Sequence, residues 1–320
     1  MGTKETTGWF IEGIFEYNPS RRWRATTGLD AVIFDATIKS LLNEKLGQLE
    51  AKFDADVIFY FGEIHPALLR PFRDLIEDLK KETTANRQRL VIILNTAGGS
   101  AEIAEKMVDI TRFHYEEVFF IVPDFAMSAG TVFCMSGNRI YMDYSSSLGP
   151  IDPQVWNGQQ YVPALGYLDK VEELLEKARV GTLTNAEFLI LQSQDLAMLS
   201  RYEQAKNLTI TLLKKWLVEY KFRDWTVHQT SPGKIGQPVT DEEKVARAKE
   251  IARQLGDNRY WHSHGRMIGI ATLRELLRLR IEDYSTDATL QPLLRSYNDL
   301  ITEYIAKNNY KVFLHSRNQF

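Results

Sequence analysis

The stretch EVFFIVPDFAMSAGT, residues 117–131, holds the pattern that decides the fold class. Its first part, EVFFIV, is a short run of aromatic and β-branched residues, which is typical of a strand that is buried on both faces. Its last part opens a helical pattern at Ser128, so that a strand is followed closely by a helix. The serine places one hydroxyl group among alanine, methionine and glycine. We therefore expect a strand-to-helix junction with a single polar side chain at the turn.

Short strand patterns alternate with helical patterns on both sides of this junction. Residues 67–81 and 101–113 have helical periodicity, and the further strand patterns are DVIFYF, LVIILN and RIYM (residues 56–61, 90–95 and 139–142). This alternation predicts βαβ units, and hence an α/β fold with a mainly parallel sheet.

The remaining pattern divides the chain into three parts. Residues 1–55 read as an N-terminal extension that contains Trp9 and Trp23 and ends in a helix. Residues 56–225 hold the α/β pattern, and residues 226–320 predict a helical C-terminal subdomain after a turn-rich loop.

Two capping boxes predict helix starts in the second half of the chain. Thr184 with Glu187 opens a long amphipathic pattern that runs to about Tyr220. Thr240 with Glu243 forms a second capping box before another helix.

Composition excludes several classes of function. The 320 residues are 44% hydrophobic and 25% charged, with a formal net charge of −3, and lysine and arginine are scattered, which argues against a nucleic-acid partner. No run approaches the roughly 18 apolar residues of a membrane-spanning helix, and no basic-then-apolar leader opens the sequence. The single cysteine, Cys134, excludes an internal disulfide. We expect a soluble cytoplasmic protein without stable membrane insertion.

Two junctions carry the candidate chemistry, because sites in parallel α/β sheets form where strands end and helices begin. Gly98 and Gly99 follow the strand LVIILN, and Ser128 follows EVFFIV. A serine beside the free N–H of Ala129, with a second N–H from a glycine loop, supplies a nucleophile and a two-donor oxyanion hole. The alternative is that Ser128 only caps its helix. A phosphate-binding loop is disfavoured, because no Lys-Ser/Thr follows the glycines.

Four motifs in order resemble the ClpP/crotonase superfamily: FGEI, NTAGGS, MSAG and SSLGPI (residues 61–64, 95–100, 127–130 and 146–151). Within it the SppA-like serine proteases are most similar, and the whole chain most resembles the serine dehydrogenase proteinase (SDH) group. The resemblance implies a core of repeated ββα and βαβ units and a serine endopeptidase that needs no cofactor or metal. It also implies a peptide or protein substrate and a homo-oligomer.

The resemblance also implies roles for individual residues. Ser128 matches the nucleophile, and the N–H groups of Gly99 and Ala129 match the oxyanion donors. The loop from Gly98 to Ser100 matches the edge that binds an extended peptide by main-chain pairing.

The general base is less well determined by the sequence. ClpP proteases carry a histidine where this chain has Ile151 or Asp152, so a triad of the ClpP type is contradicted. SppA-like proteases use a lysine further on, and Lys170 fits that spacing better than Lys177. Such a lysine must be neutral, so its pKa must fall from about 10.4 toward about 7 to 8 in a dry pocket.

Other interpretations stay open on the sequence alone. A histidine of the WHSHGR stretch, His262 or His264, could supply the base, although the two histidines without a third ligand make a zinc site improbable. Whole-chain alternatives are a crotonase-type acyl-CoA enzyme, for which Ser128 would be unnecessary, and an oligomeric scaffold that has lost catalysis. The role of residues 262–266 is not assigned by pattern.

Overall fold

The structure is a computed structural model that describes residues 28–82, 87–152, 154–156, 161–229 and 233–319. Trp9 and Trp23 lie outside the described residues. The helices are α1 (Gly28–Phe53), α2 (Leu69–Glu82), α3 (Ala101–His114), α4 (Ala129–Cys134), α5 (Ala164–Arg179), α6 (Asn185–Gln192), α7 (Leu196–Trp216), α8 (Asp241–Leu255), α9 (Asn258–Trp261), α10 (Ile270–Glu275) and α11 (Leu290–Lys307). The strands are β1 (Asp56–Phe61), β2 (Arg89–Asn95), β3 (Glu117–Val122), β4 (Phe125–Ala126), β5 (Arg139–Met142), β6 (Ser147–Leu148), β7 (Gln154–Trp156), β8 (Tyr161–Pro163), β9 (Glu282–Asp283) and β10 (Phe313–His315). A 3₁₀ turn, Pro66–Leu68, precedes α2, and a π-helical turn, Leu217–Lys221, extends α7.

A six-stranded sheet forms the centre, with the strand order β10-β1-β2-β3-β5-β9. Every neighbouring pair is parallel except β1 and β10, which pair antiparallel. The four long strands begin and end within one residue of the strand patterns in the sequence, because each is a continuous apolar run bounded by turn residues. The predicted α/β fold with a mainly parallel sheet is therefore confirmed.

Helices cover both faces of the sheet, which explains why its central strands are apolar on both sides. On one face, Ile58, Tyr60 and Ile92 belong to a core that includes residues of α2, α3, α4, α7 and α8. On the other face, alternate residues such as Val57 and Phe59 pack with residues of α1 and α11. The carboxyl ends of the parallel strands thus lie between two helical layers.

The C-terminal part contributes to the sheet as well as to the helical layers. Residues 226–320 form α8 to α11, as the helical prediction requires, but they also supply β9 and β10. These strands are two and three residues long, too short to give a periodic signal in the sequence. The boundaries between the three parts of the chain, at residues 55 and 225, remain predictions.

Both predicted capping boxes are confirmed, each with its two reciprocal hydrogen bonds. The long helix expected after Thr184 is interrupted, however. It ends at Gln192, and α7 begins after Asp195, whose carboxylate accepts hydrogen bonds from the N–H groups of Ala197 and Met198. The second N-cap allows the chain to change direction between α6 and α7.

Hydrogen bonds of the buried His315 connect β10 with α1 and α11. The Nε2 atom of His315 lies 3.0 Å from Asn43 Oδ1, and its Nδ1 atom lies 2.7 Å from the Tyr297 hydroxyl. An amide oxygen only accepts, so Nε2 carries the hydrogen and Nδ1 accepts from the tyrosine. The neutral ring thus satisfies both partners, and burial lowers the pKa of His315 to about 4.

This histidine should make the free energy of unfolding depend on pH. The unfolded chain takes up a proton near pH 6.5 and the folded protein only near pH 4, so stability falls as the pH decreases through that window. Between pH 7 and pH 4.5 we expect a loss of about 2 to 3 kcal/mol from this residue. Urea unfolding of wild type and His315→Gln at both pH values measures it. The variant should lose less stability on acidification than wild type, and equal losses in the two proteins would contradict the assignment.

Candidate active site

Ser128 lies in a strained turn between β4 and α4. Its backbone has φ 51° and ψ −118°, a conformation that is uncommon for any residue except glycine. Its side chain makes no capping hydrogen bond to α4, and its hydroxyl has no partner among the described residues. Helix capping therefore does not account for the serine. A strained backbone that presents an uncommitted hydroxyl is typical of a functional position.

The glycine loop passes directly against this turn. Gly98 and Gly99 have φ values of 110° and 139°, which favour glycine. A Cβ atom at Gly98 would lie 2.9 Å from the Cβ of Ser128 and 2.8 Å from the carbonyl oxygen of Met127. A Cβ atom at Gly99 would lie 2.2 Å from the carbonyl oxygen of Ile64. The pair of glycines is thus required by both backbone conformation and close approach.

Main-chain hydrogen bonds hold the loop and the turn together. Thr96 N–H donates to the carbonyl of Phe125, and Met127 N–H donates to the carbonyl of Thr96, each at 3.0 Å. On its other side the loop pairs with the end of β1, since Ile64 N–H donates to Gly98 O at 2.7 Å and Ser100 N–H donates to Ile64 O at 2.9 Å. Three segments that are distant in sequence are therefore fixed in one hydrogen-bonded array.

Two backbone donors beside Ser128 remain uncommitted. Among the residues that the structure describes, no acceptor pairs with the N–H of Gly99 or with the N–H of Ala129. The N–H of Gly98, in contrast, donates to Thr96 Oγ1 at 3.0 Å. Ser100 uses its hydroxyl to cap α3, accepting from Ile103 N–H at 3.1 Å. The predicted nucleophile and the predicted oxyanion donors are thus brought together.

Both predicted lysines are bound to carboxylates. Lys170 Nζ lies 2.9 Å from Glu173 Oε2, and the lysine side chain is 60% exposed. Lys177 pairs with Glu187 at 2.7 Å and with Glu173 at 3.3 Å, and these two hydrogen bonds raise its pKa, the one to Glu187 being the larger cause. Neither amine has the dry surroundings that a neutral lysine requires. The structure gives no contact between either lysine and Ser128.

A histidine–carboxylate pair lies in the second half of the chain. His264 Nδ1 is 2.8 Å from Asp152 Oδ1, and Asp152 is 1% exposed. A carboxylate oxygen only accepts, so Nδ1 carries the hydrogen and Nε2 of a neutral ring is left as a base. Asp152 Oδ2 is buried without a partner among the described residues.

This pair is anchored to the elements around Ser128. Gly149 and the hydroxyl of Thr131, in α4, are joined by hydrogen bonds of 2.9 Å in both directions. Leu148 and Ile268 exchange main-chain hydrogen bonds of 3.0 and 2.8 Å. Asp152 is three residues from Gly149 and His264 is four residues from Ile268, so each lies within about 11 to 14 Å of its anchor, the reach of three or four extended residues.

The sequence pointed to His264 only as an alternative and gave no role to Asp152 as its partner. The two residues are 112 positions apart, so no local spacing connects them. The sequence held one indication of a role for Asp152: it follows SSLGPI, in the region where ClpP proteases carry a histidine.

Lys170 also belongs to this neighbourhood. Asp169, the residue before it, pairs with Arg259 at 2.9 Å, and Arg259 is five residues before His264. This ion pair connects α5, which carries Lys170, with α9, which precedes His264.

Comparison with known protein families finds a match for the middle of the chain. The ClpP-like SDH-type serine proteinases match residues 79–235. That part of the chain is similar to the members of this family. The stretch that matches the SDH-type family contains the glycine loop, Ser128, Asp152 and Lys170, and ends before His264.

Relatives of this chain are found in an archaeon. An uncharacterized protein of Methanocaldococcus jannaschii is 36% identical over 169 residues, 52% of this chain and 53% of that protein. A second uncharacterized protein of the same organism is 33% identical over 92 residues, 29% of this chain and 30% of that protein. The part of this chain that matches therefore spans about half the length of the first relative and less than a third of the second.

Solved structures with some likeness to this chain include two of the 1510-N membrane-bound stomatin-specific protease. One is a lysine-to-alanine mutant in complex with a substrate peptide, with 15% identity and a TM-score of 0.43 over 73% of this chain and 76% of that chain. The other is a serine-to-alanine mutant, with 13% identity and a TM-score of 0.42 over 75% and 81% of the two chains.

The described ranges hold neither a membrane-spanning helix nor a cluster of metal ligands. No helix there is both long enough and apolar enough to cross a bilayer. Within the same ranges, His, Cys, Asp and Glu side chains form no group of three or more that could hold a metal ion.

Proposed function

We propose that this protein is a serine endopeptidase that hydrolyses peptide bonds through an acyl-enzyme. The observation that carries the proposal is the surroundings of Ser128: a strained, uncapped serine with two uncommitted N–H donors beside it. The SDH-type family of residues 79–235 supports the same reaction class. A free hydroxyl beside two N–H donors is the arrangement that acyl transfer to a serine requires.

The reaction follows from these groups. The Ser128 hydroxyl attacks the carbonyl carbon of the peptide, and its proton passes to a general base. The carbonyl oxygen becomes an oxyanion that accepts hydrogen bonds from the N–H groups of Gly99 and Ala129. The base returns the proton to the leaving amine, the C–N bond breaks and an ester remains on Ser128. Water, activated by the same base, then hydrolyses this ester.

The substrate would bind in extended form beside the glycine loop. Gly98 O and Ser100 N–H are already paired with Ile64, whereas the Gly99 N–H has no acceptor among the described residues and can bind the substrate carbonyl. The role of Gly98 and Ser100 in substrate binding is then to hold the shape of the loop. Peptide specificity is left to the side-chain pockets.

For the base, the observed contacts favour His264 held by Asp152. A buried carboxylate on Nδ1 fixes the tautomer that leaves Nε2 able to accept the serine proton. Lys170, the base that the sequence predicts, would have to leave Glu173 and enter a drier environment first.

Variants of the two candidate bases should separate them. We expect His264→Ala to lower kcat by at least about 10³-fold and Asp152→Asn to lower it by a similar factor, because each removes the correctly oriented base. Lys170→Ala and its matched control Lys177→Ala should stay within about threefold of wild type. Hydrolysis of a fluorogenic peptide measures all four. Loss of activity in Lys170→Ala, with His264→Ala active, would instead assign the base to the lysine.

The reaction class itself is tested with the wild-type protein. A phosphonate probe should form one covalent adduct, located on Ser128 by mass spectrometry, and the same preparation should cleave casein. Labelling at another residue, or no labelling and no cleavage, would overturn the proposal.

A further inference from the structure

Asp124 connects both catalytic loops to α11. It lies between β3 and β4, and its Oδ2 atom accepts a hydrogen bond from Asn95 Nδ2 at 2.6 Å and another from Asn298 Nδ2 at 3.0 Å. We call Asn95, Asp124 and Asn298 the Asp124 clamp. Its members come from the end of β2, from the β3–β4 connection and from α11.

The side chains of the two asparagines make no other hydrogen bond in the described structure. Asn95 is 4% exposed and Asn298 is 6% exposed. The Oδ1 atom of each is buried and lacks a partner among the described residues. A buried acceptor without a partner costs free energy, and such groups are rare in native proteins. Each amide is therefore retained for the bond that its Nδ2 makes to Asp124.

The clamp acts on the backbone that leads into the proposed site. Asn95 directly precedes Thr96, where the glycine loop begins, and Asp124 is four residues before Ser128. Main-chain contacts of Asn95 and Asp124 extend the connection, since Asn95 O accepts from Gly62 N–H at 3.1 Å and Asp124 O accepts from Ser147 N–H at 2.9 Å. Fixing Asp124 against Asn95 thus fixes the segment of Gly99 against the segment of Ser128.

The electrostatic surroundings require these donors. Burial raises the pKa of Asp124, and the negative charges of Asp299 and Asp143 add to that effect, whereas the hydrogen bonds from Asn298 and Asn95 oppose it. Asp143 is itself paired with Arg295, 3.1 Å away. The asparagines are the groups that stabilise a carboxylate at this position.

We propose that Asp124, held by Asn298 of α11, is a positioning residue that sets the distance between the oxyanion donor Gly99 and the nucleophile Ser128. The proposal rests on the proposed peptidase function. The side-chain hydrogen bonds of Asp124 go to Asn95 and Asn298 and not to Ser128 or Gly99, so it acts through the two loops. Small displacements of reacting groups have large effects on rate, so a loosened clamp should lower turnover without weakening substrate binding.

The decisive variant is Asn298→Leu, which removes the donor while nearly preserving side-chain volume. It also removes the unpartnered Oδ1, so the thermal midpoint should not fall by more than a few degrees. We expect kcat and the rate of phosphonate labelling of Ser128 to fall about tenfold or more, with KM within about twofold. The matched control is Thr302→Val, one helical turn further along α11, whose hydroxyl bonds, among the described residues, to the α11 carbonyls of Asn298 and Asp299.

A second pair of variants removes or retains the acceptor. Asp124→Asn keeps an oxygen that can accept from Asn298 and should retain more of kcat than Asp124→Leu, which has none. This order of rescue by the conservative variant is not expected if Asp124 only contributes to stability.

Hydrogen exchange gives a readout that does not depend on turnover. In Asn298→Leu, amides of residues 95–100 and 124–130 should exchange at least about fivefold faster than in wild type and in Thr302→Val, while β1 stays protected. Unchanged exchange in both segments, or an unchanged kcat in an active enzyme, would overturn the inference. Faster exchange in a protein whose wild type neither labels nor cleaves would overturn the peptidase proposal alone.

Discussion

Replacing Ser128 by alanine should lower peptide hydrolysis by at least about 10³-fold, because the only proposed nucleophile is removed while the oxyanion donors remain. The fold should be unaffected. The hydroxyl has no hydrogen-bond partner among the described residues, so its loss leaves no buried group unsatisfied. Hydrolysis of casein or a fluorogenic peptide, with the thermal midpoint of each protein measured in parallel, checks both statements.

A second variant at the same position, Ser128→Gly, tests the backbone strain as well as the loss of the hydroxyl. Ser128→Gly should be equally inactive but more stable than wild type by about 1 kcal/mol, because φ 51° is strained for serine and not for glycine. The matched control is Ser136→Ala at the other end of α4, whose hydroxyl donates to Phe133 O at 2.7 Å. It should cost about 1 kcal/mol and keep the activity of the folded protein. Equal cleavage of casein by wild type and Ser128→Ala would remove the basis of the peptidase proposal.

The second large effect is expected at Gly99. The added methyl of Gly99→Ala would lie 2.2 Å from the backbone carbonyl of Ile64, and neither backbone can move without breaking the pairing between Ile64 and the loop. Together with the strained φ of 139°, this should lower the free energy of unfolding by about 3 kcal/mol or more. Because the Gly99 N–H would be displaced, kcat should also fall by about 10²-fold.

Gly47→Ala is the control for this change. Gly47 lies within α1, and a Cβ atom there would meet nothing within 4 Å. The same substitution should therefore stabilise the protein by about 0.5 to 1 kcal/mol through helix propensity and leave kcat unchanged. Urea unfolding of the two variants gives opposite shifts if the close approach at Gly99 is real. A Gly99→Ala protein as stable and as active as wild type would be incompatible with the described loop.

The parts of the fold that could be predicted were those with a local signal. The strand DVIFYF and the helix after NTAGGS are bounded by turn residues and by the cap at Ser100, so their limits follow from the sequence. The short strands β9 and β10 carry no periodicity, and their places in the sheet depend on packing between distant segments. The break before α7 did have a local signal, the N-cap Asp195, within an otherwise continuous apolar pattern.

The residues of the candidate site also differ in whether a local pattern in the sequence could predict them. Ser128 and the glycine loop are local motifs at the ends of neighbouring strands, and their proximity follows from the parallel sheet. Pairs formed by residues far apart in the chain could not be predicted. Asp152 meets His264, and Asp124 meets Asn298, across 112 and 174 positions, and neither pair is part of a recognisable spacing.

The antiparallel edge strand has a consequence for synthesis of the protein. β1 leaves the ribosome roughly 250 residues before β10, the strand that pairs with its outer edge. At about 5 to 20 residues per second, the nascent chain carries an unpaired β1 edge for some tens of seconds. During that interval the edge is open to strands of neighbouring nascent chains. Polysomes that translate this message thus hold several incomplete sheets side by side. In each of them the β1 edge is covered only when Phe313–His315 has been synthesised and has paired with it.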